Sequence, residues 1–144
     1  MDILMELGFQ LAALLLGAML FFSVVIAPLV FTGLDAETAG RFIRRLFPWY
    51  YLVIIVLAGP AAGLIALNAP IAGAIMAAVA IGAVVSRQIL MPHLNRLRDQ
   101  AIAGDSRSDQ LFDRLHKFSV AINGVQLLAL IAVLALRHVS GGSV

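Results

Sequence analysis

The chain has 144 residues, 62% of them hydrophobic and 12% charged, with a formal net charge of +2. Soluble domains carry roughly 25% charged residues, so this composition points to a lipid environment, and so small a net charge makes no case for a nucleic-acid partner. Cysteine is absent, which excludes disulfides, thiolate metal sites and cysteine nucleophiles.

The N-terminal Met1-Asp-Ile-Leu-Met-Glu6 is acidic where a secretory signal is basic. The uncharged run behind it, residues 7–34, is too long for a signal core and is predicted to stay as a first membrane span over about 7–31. Residues 36–47 then place Ala39, Phe42, Ile43 and Leu46 on one helical face and Arg41, Arg44 and Arg45 on the other. That pattern predicts a short interfacial helix, capped by Asp35, whose arginines meet the anionic headgroups of the bilayer. Trp49, Tyr50 and Tyr51 follow at the level of an aromatic belt.

Residues 46–85 carry no charge, enough for two spans, about 46–67 and 70–91, hinged at Asn68-Ala69-Pro70. Gly59-Pro-Ala-Ala-Gly63 is a small-xxx-small pattern, and Ala72, Gly73, Ala77, Ala80 and Gly82 dominate the third span. We expect this small face to pack inside the bundle; a homo-oligomer contact is the alternative use. The fourth span covers about 118–136.

Arg41, Arg44 and Arg45 lie between spans one and two; Arg87, Arg96, Arg98, Arg107, Arg114 and Lys117 lie between spans three and four. Only Arg137 falls on the other side, so nine of ten cations share one side, which the positive-inside rule assigns to the cytoplasm. The expected fold is all-α: a polytopic four-helix membrane bundle forming one domain over 1–144, termini outside, with a long cytoplasmic hairpin between spans three and four. A cell membrane is the expected location, the inner one if the source is bacterial.

Gly104 is a helix stop, and Ser106-Arg-Ser-Asp109 is a capping-box signature for the next helix. Folding the chain there sets residues whose numbers sum to about 209 at equal height. His93 then faces His116, Ser86 faces Asn123, Gln100 faces Asp109 and Arg96 faces Asp113. At 100° per residue, Ser86, His93, Arg96 and Gln100 fall within about 80°, and Asp109, His116, Ser119, Asn123 and Gln126 within about 100°.

Three uses of these matching stripes are open. The rungs pin the hairpin as hydrogen bonds; or Ser86, His93, Arg96, His116, Ser119, Asn123 and Gln126 line a wet cavity for a small polar or anionic ligand. Alternatively, His93 and His116 bind a haem or a metal ion, oriented by Asp109 or Asp113. Asp99, Asp105, Asp109 and Asp113 otherwise read as a solvated hairpin surface, His138 sits in the opposite tail without a role, and no residue set argues for an enzyme.

Phe21-Phe-Ser-Val-Val-Ile-Ala-Pro-Leu-Val-Phe31, Ala39-Gly-Arg41 and Leu46-Phe-Pro-Trp-Tyr-Tyr51 resemble the membrane family typified by transmembrane protein 205. Leu94-Asn-Arg-Leu-Arg-Asp99 and Phe112-Asp-Arg-Leu-His-Lys-Phe-Ser119, with Asn123 and Gly124, resemble its second half. The resemblance implies a four-helix membrane domain of unassigned biochemical role. A more distant likeness is to the copper-resistance D proteins and the J-type protoporphyrinogen oxidases; the latter carry a first-span histidine, where this chain has only Gln10 and Ser23 as polar residues.

Overall fold

The computed structural model describes residues 3–141, and side chains over 3–137. His138 therefore lies outside the described side chains. Four helices account for the described chain: α1 (Ile3–Gly33), α2 (Ala36–Ala66), α3 (Pro70–Ile102) and α4 (Ser106–Gly141). Each is long and apolar enough to cross a membrane. Short turns make consecutive helices antiparallel neighbours, and α1 also packs on α4 to close the ring.

Local chemistry sets the helix ends. Asp35 caps α2, its carboxylate accepting from the Thr38 amide at 3.0 Å. Pro70 opens α3, where a missing N–H costs nothing. Gly104 ends the α3 region at φ +102°, a conformation that glycine adopts without strain. At the start of α4 the capping side chain is Asp105 rather than Ser106. Its carboxylate accepts from the Arg107 amide at 3.1 Å and the Ser108 hydroxyl at 2.5 Å. A residue one position earlier thus takes the capping role, because its carboxylate reaches both donors.

Two helices widen locally into π turns, Phe22–Ile26 in α1 and Ser86–Leu90 in α3. Each is followed within two residues by a proline, Pro28 and Pro92. A proline removes one N–H and its ring crowds the carbonyl four residues back, here Val24 and Gln88; widening that turn relieves the clash. α2 carries Pro48 and Pro60 inside an unbroken α-helix.

That continuity corrects the expected interfacial helix. Residues 36–47 do not form a separate element; they run directly into the span as the first turns of α2. The cause is tertiary. Arg44 bonds Asp99 at 2.6 and 3.4 Å and the Asn95 carbonyl at 3.3 Å, holding this amphipathic segment against the extension of α3.

The core runs along the bundle axis through Leu15, Met19, Ile54, Ile65, Met76, Leu130 and Val133, all fully buried. Many large apolar side chains point outward instead, among them Leu14, Val24, Val56, Ile71, Ile81, Val125 and Leu128. An outer surface of this kind is stable only against lipid. The chain is a multi-pass membrane protein.

Gly59 and Gly63 correct a second expectation. A Cβ at either would meet nothing within 4 Å, so they face outward rather than into the bundle. The close approaches are made by Gly73, whose Cβ would lie 2.6 Å from the Ala66 Cα, and by Gly8, whose Cβ would lie 2.8 Å from Ile65. Ala58, Ala61 and Ala62 supply the buried small face of α2.

Candidate functional site

Helical periodicity brings one polar residue from each helix toward the bundle interior near the π turns. Phe47, Tyr50, Tyr51 and Ile54 recur at three- and four-residue spacing and turn inward together, leaving Trp49 on the outside. Trp49 is 68% exposed, while Tyr50 and Tyr51 are 9% and 2% exposed, so of the three expected belt residues only Trp49 meets the surroundings of the bundle. Phe22 stacks on Tyr50 at 4.2 Å between centroids, and Phe47 stacks on Tyr51 at 5.8 Å.

Inside that aromatic wall the Tyr50 hydroxyl donates to Asn123 Oδ1 at 2.5 Å. The Asn123 amide in turn donates to Ser23 Oγ at 3.5 Å. One chain of hydrogen bonds therefore links α2, α4 and the π turn of α1.

The α3–α4 seam lies beside it. Gln126 Nε2 donates to the Val79 carbonyl at 3.0 Å, and its approach is possible because residue 82 is glycine: a Cβ there would stand 3.1 Å from that nitrogen. Ser86, one turn further along α3, is completely buried and begins the π turn. Two buried polar atoms in this seam have no hydrogen-bond partner among the described residues, Ser86 Oγ and Gln126 Oε1. Leaving such groups unpaired costs about 1–3 kcal/mol each. Ser119, also buried, completes the α4 side.

Further along the hairpin the partners differ from the expected rungs. Gln100 Oε1 lies 3.1 Å from the Ser108 hydroxyl rather than pairing with Asp109, and Asn123 pairs with Tyr50 and Ser23 rather than with Ser86. Arg96 and Asp113 form no ion pair among the described residues. His93 and His116 are both exposed; His116 stacks on Phe112 at 5.8 Å, and Arg98 lies over the same Phe112 ring at 5.4 Å. Among the described residues no cluster of three or more His, Cys, Asp or Glu side chains occurs.

The structure thus gathers Ser86, Ser119, Asn123 and Gln126 inside the bundle and leaves His93, Arg96 and His116 on its surface. It adds Ser23, and it brings in Tyr50, which was expected at the membrane interface. The inward periodicity of Phe47, Tyr50, Tyr51 and Ile54 was a signal that could have separated Tyr50 from Trp49.

A family model described as a domain of unknown function, DUF4149, matches residues 10–103. The matched stretch holds Ser23, Tyr50 and Ser86, and Asn123 and Gln126 lie beyond it. No curated protein and no solved structure matches the chain.

Proposed function

We propose that this chain, which belongs to the DUF4149 family of domains of unknown function, is a membrane bundle that takes up a small polar molecule in the seam between α3 and α4. The observation that supports this reading is the pair of buried, unpartnered atoms, Ser86 Oγ and Gln126 Oε1. A membrane protein gains nothing from orphaned polar groups in its interior, and intramembrane polar residues mark ligand and ion paths. A hydrogen-bond-donating solute or water in the seam is the kind of partner that either atom can accept from. The π turn starting at Ser86 gives the seam a place to open, since such turns occur at functional positions and exchange hydrogen-bond partners with little loss.

The typing as a relative of transmembrane protein 205 belongs to the same proposal and rests on the motifs at 21–31 and 46–51. So does the orientation, with the charged ends of the helices in the cytoplasm of the cell that holds the membrane.

The absence of cysteine gives a direct test that needs no knowledge of the ligand. The single thiol of Ser86→Cys, in native membranes, is expected to react with a small methanethiosulfonate reagent while the protein is folded. An exposed control, Asp109→Cys, sets the reference rate. A Ser86→Cys thiol that stays unmodified while the control labels to completion identifies a closed structural seam and ends the binding reading.

A further inference from the structure

The arginines at the charged end of α2 are not equivalent. Arg41 is ion-paired to Glu37 and also donates to Thr38 Oγ1 at 3.1 Å. Arg44 is paired to Asp99. Arg45 is exposed and has no carboxylate partner among the described residues.

On α3, Arg87 is half-buried and also without a carboxylate; its Nε donates to the Pro48 carbonyl at 3.1 Å. Arg45 precedes Pro48 by three residues, so the two share one helical face as neighbours. Two arginines without a carboxylate partner among the described residues, Arg45 and Arg87, thus both attach within about one helical turn of Pro48 on α2.

Their position names an anion. Trp49, four residues after Arg45 and 68% exposed, is a residue type that favours the membrane–water boundary, and we take it as that level on this side of the bundle. From that level toward the middle of the bundle both helices carry exposed apolar side chains, Val56 on α2 and Ile81 and Val84 on α3. Two unpaired cations near the boundary, with exposed apolar side chains below them, fit a phosphate with acyl chains attached, whereas a free phosphate would use only the cations. We propose that Arg45 and Arg87 hold the phosphate of one anionic phospholipid against the α2–α3 face. Arg41 and Arg44, already neutralised by Glu37 and Asp99, take no part.

The full chain in detergent can be titrated with phosphatidylglycerol or with phosphatidylcholine of the same acyl chains, and bound lipid counted by native mass spectrometry. One phosphatidylglycerol is expected to be retained at about tenfold lower concentration than phosphatidylcholine, the size of one charge-assisted contact. Arg45→Gln is expected to remove that preference, Arg45→Lys to keep most of it, and Arg41→Gln to leave it within about twofold. Arg87→Gln should act like Arg45→Gln; because Arg87 also ties α3 to α2, the exposed Arg45 decides the matter. Glycerol phosphate at matched concentration should not displace the lipid. Equal retention of the two lipids, an Arg41→Gln effect as large as that of Arg45→Gln, or displacement by glycerol phosphate would each overturn the assignment.

Discussion

Gly73 and Gly59 are both glycines in apolar helices, and they are predicted to respond in opposite ways to added bulk. A Cβ at Gly73 would lie 2.6 Å from both the Ala66 Cα and its Cβ, where neither helix backbone can yield without parting. Gly73→Val is therefore expected to lower stability by about 1–3 kcal/mol, the usual cost of overpacking. Gly59→Leu meets open space and is expected to leave the melting temperature in detergent within error. Equal losses for the two variants would show that the α2–α3 approach is looser than the geometry states. At Gln126 the expected effect is smaller: Gln126→Leu removes one bond to the Val79 carbonyl and also removes an orphaned carbonyl oxygen. Interhelical hydrogen bonds in membranes average about 0.6 kcal/mol, so the variant should be nearly as stable as the parent. A loss of several kcal/mol would mean that both ends of the amide are satisfied in the folded protein.

At the scale of the elements, the two carboxylate caps make the helix starts respond to acid. The Thr38 amide and hydroxyl hold the Asp35 carboxyl below its ordinary value of 3.8. The Ser108 hydroxyl, followed by the Arg107 amide, does the same for Asp105. A depressed folded value means that the cap's contribution is complete above 3.8 and disappears as pH falls through the folded value below it. Amide hydrogen exchange at residues 106–109 is expected to lose protection in that acid range. Asp105→Asn keeps a capping oxygen without a titrating proton, so its protection should be flat there. The same acid response in parent and variant would remove Asp105 from the cap. The π turns are features of this scale too: each precedes a proline whose ring crowds a carbonyl, and each places a serine, Ser23 or Ser86, toward the interior.

The bundle as a whole is longer than a membrane is thick. Helices of 31 to 36 residues span about 46–54 Å at 1.5 Å per residue, against roughly 30 Å of hydrocarbon. The excess turns carry the arginines, so the α3–α4 hairpin projects beyond the apolar zone at the charged end. At the other end Arg137 reaches across the ring to Glu6 at 2.8 Å and lies over Phe9 at 5.7 Å. With side chains 32% and 28% exposed, this ion pair between α1 and α4 is expected to couple by about 1 kcal/mol at most in a Glu6→Gln/Arg137→Gln double-mutant cycle. Zero coupling would leave apolar packing alone to close the ring. The orientation is tested by a fusion after Val144 of a reporter active only in the cytoplasm, which should be silent; a strong signal would invert the topology.

Four apolar helices, their order and the hairpin at Gly104 were legible in the sequence, because lipid forces every backbone group to bond within its own helix and charges can only sit at the ends. The polar residues inside the bundle were legible for a related reason: Ser86, Ser119, Asn123 and Gln126 repeat at helical spacing on facing stripes. What each of them touches was not. Height and face fix a pair of neighbours only if both helices keep α geometry, and the π turn at Ser86–Leu90 shifts the face of everything beyond it. Asn123 is claimed by Tyr50 from a helix that the hairpin register does not include. Likewise the amphipathic pattern of 36–47 suits a helix lying on a membrane or one docked against another. Arg44 meeting Asp99, fifty-five residues away, selects the second. Periodicity states which side of a helix is polar; only tertiary packing states which neighbour that side meets.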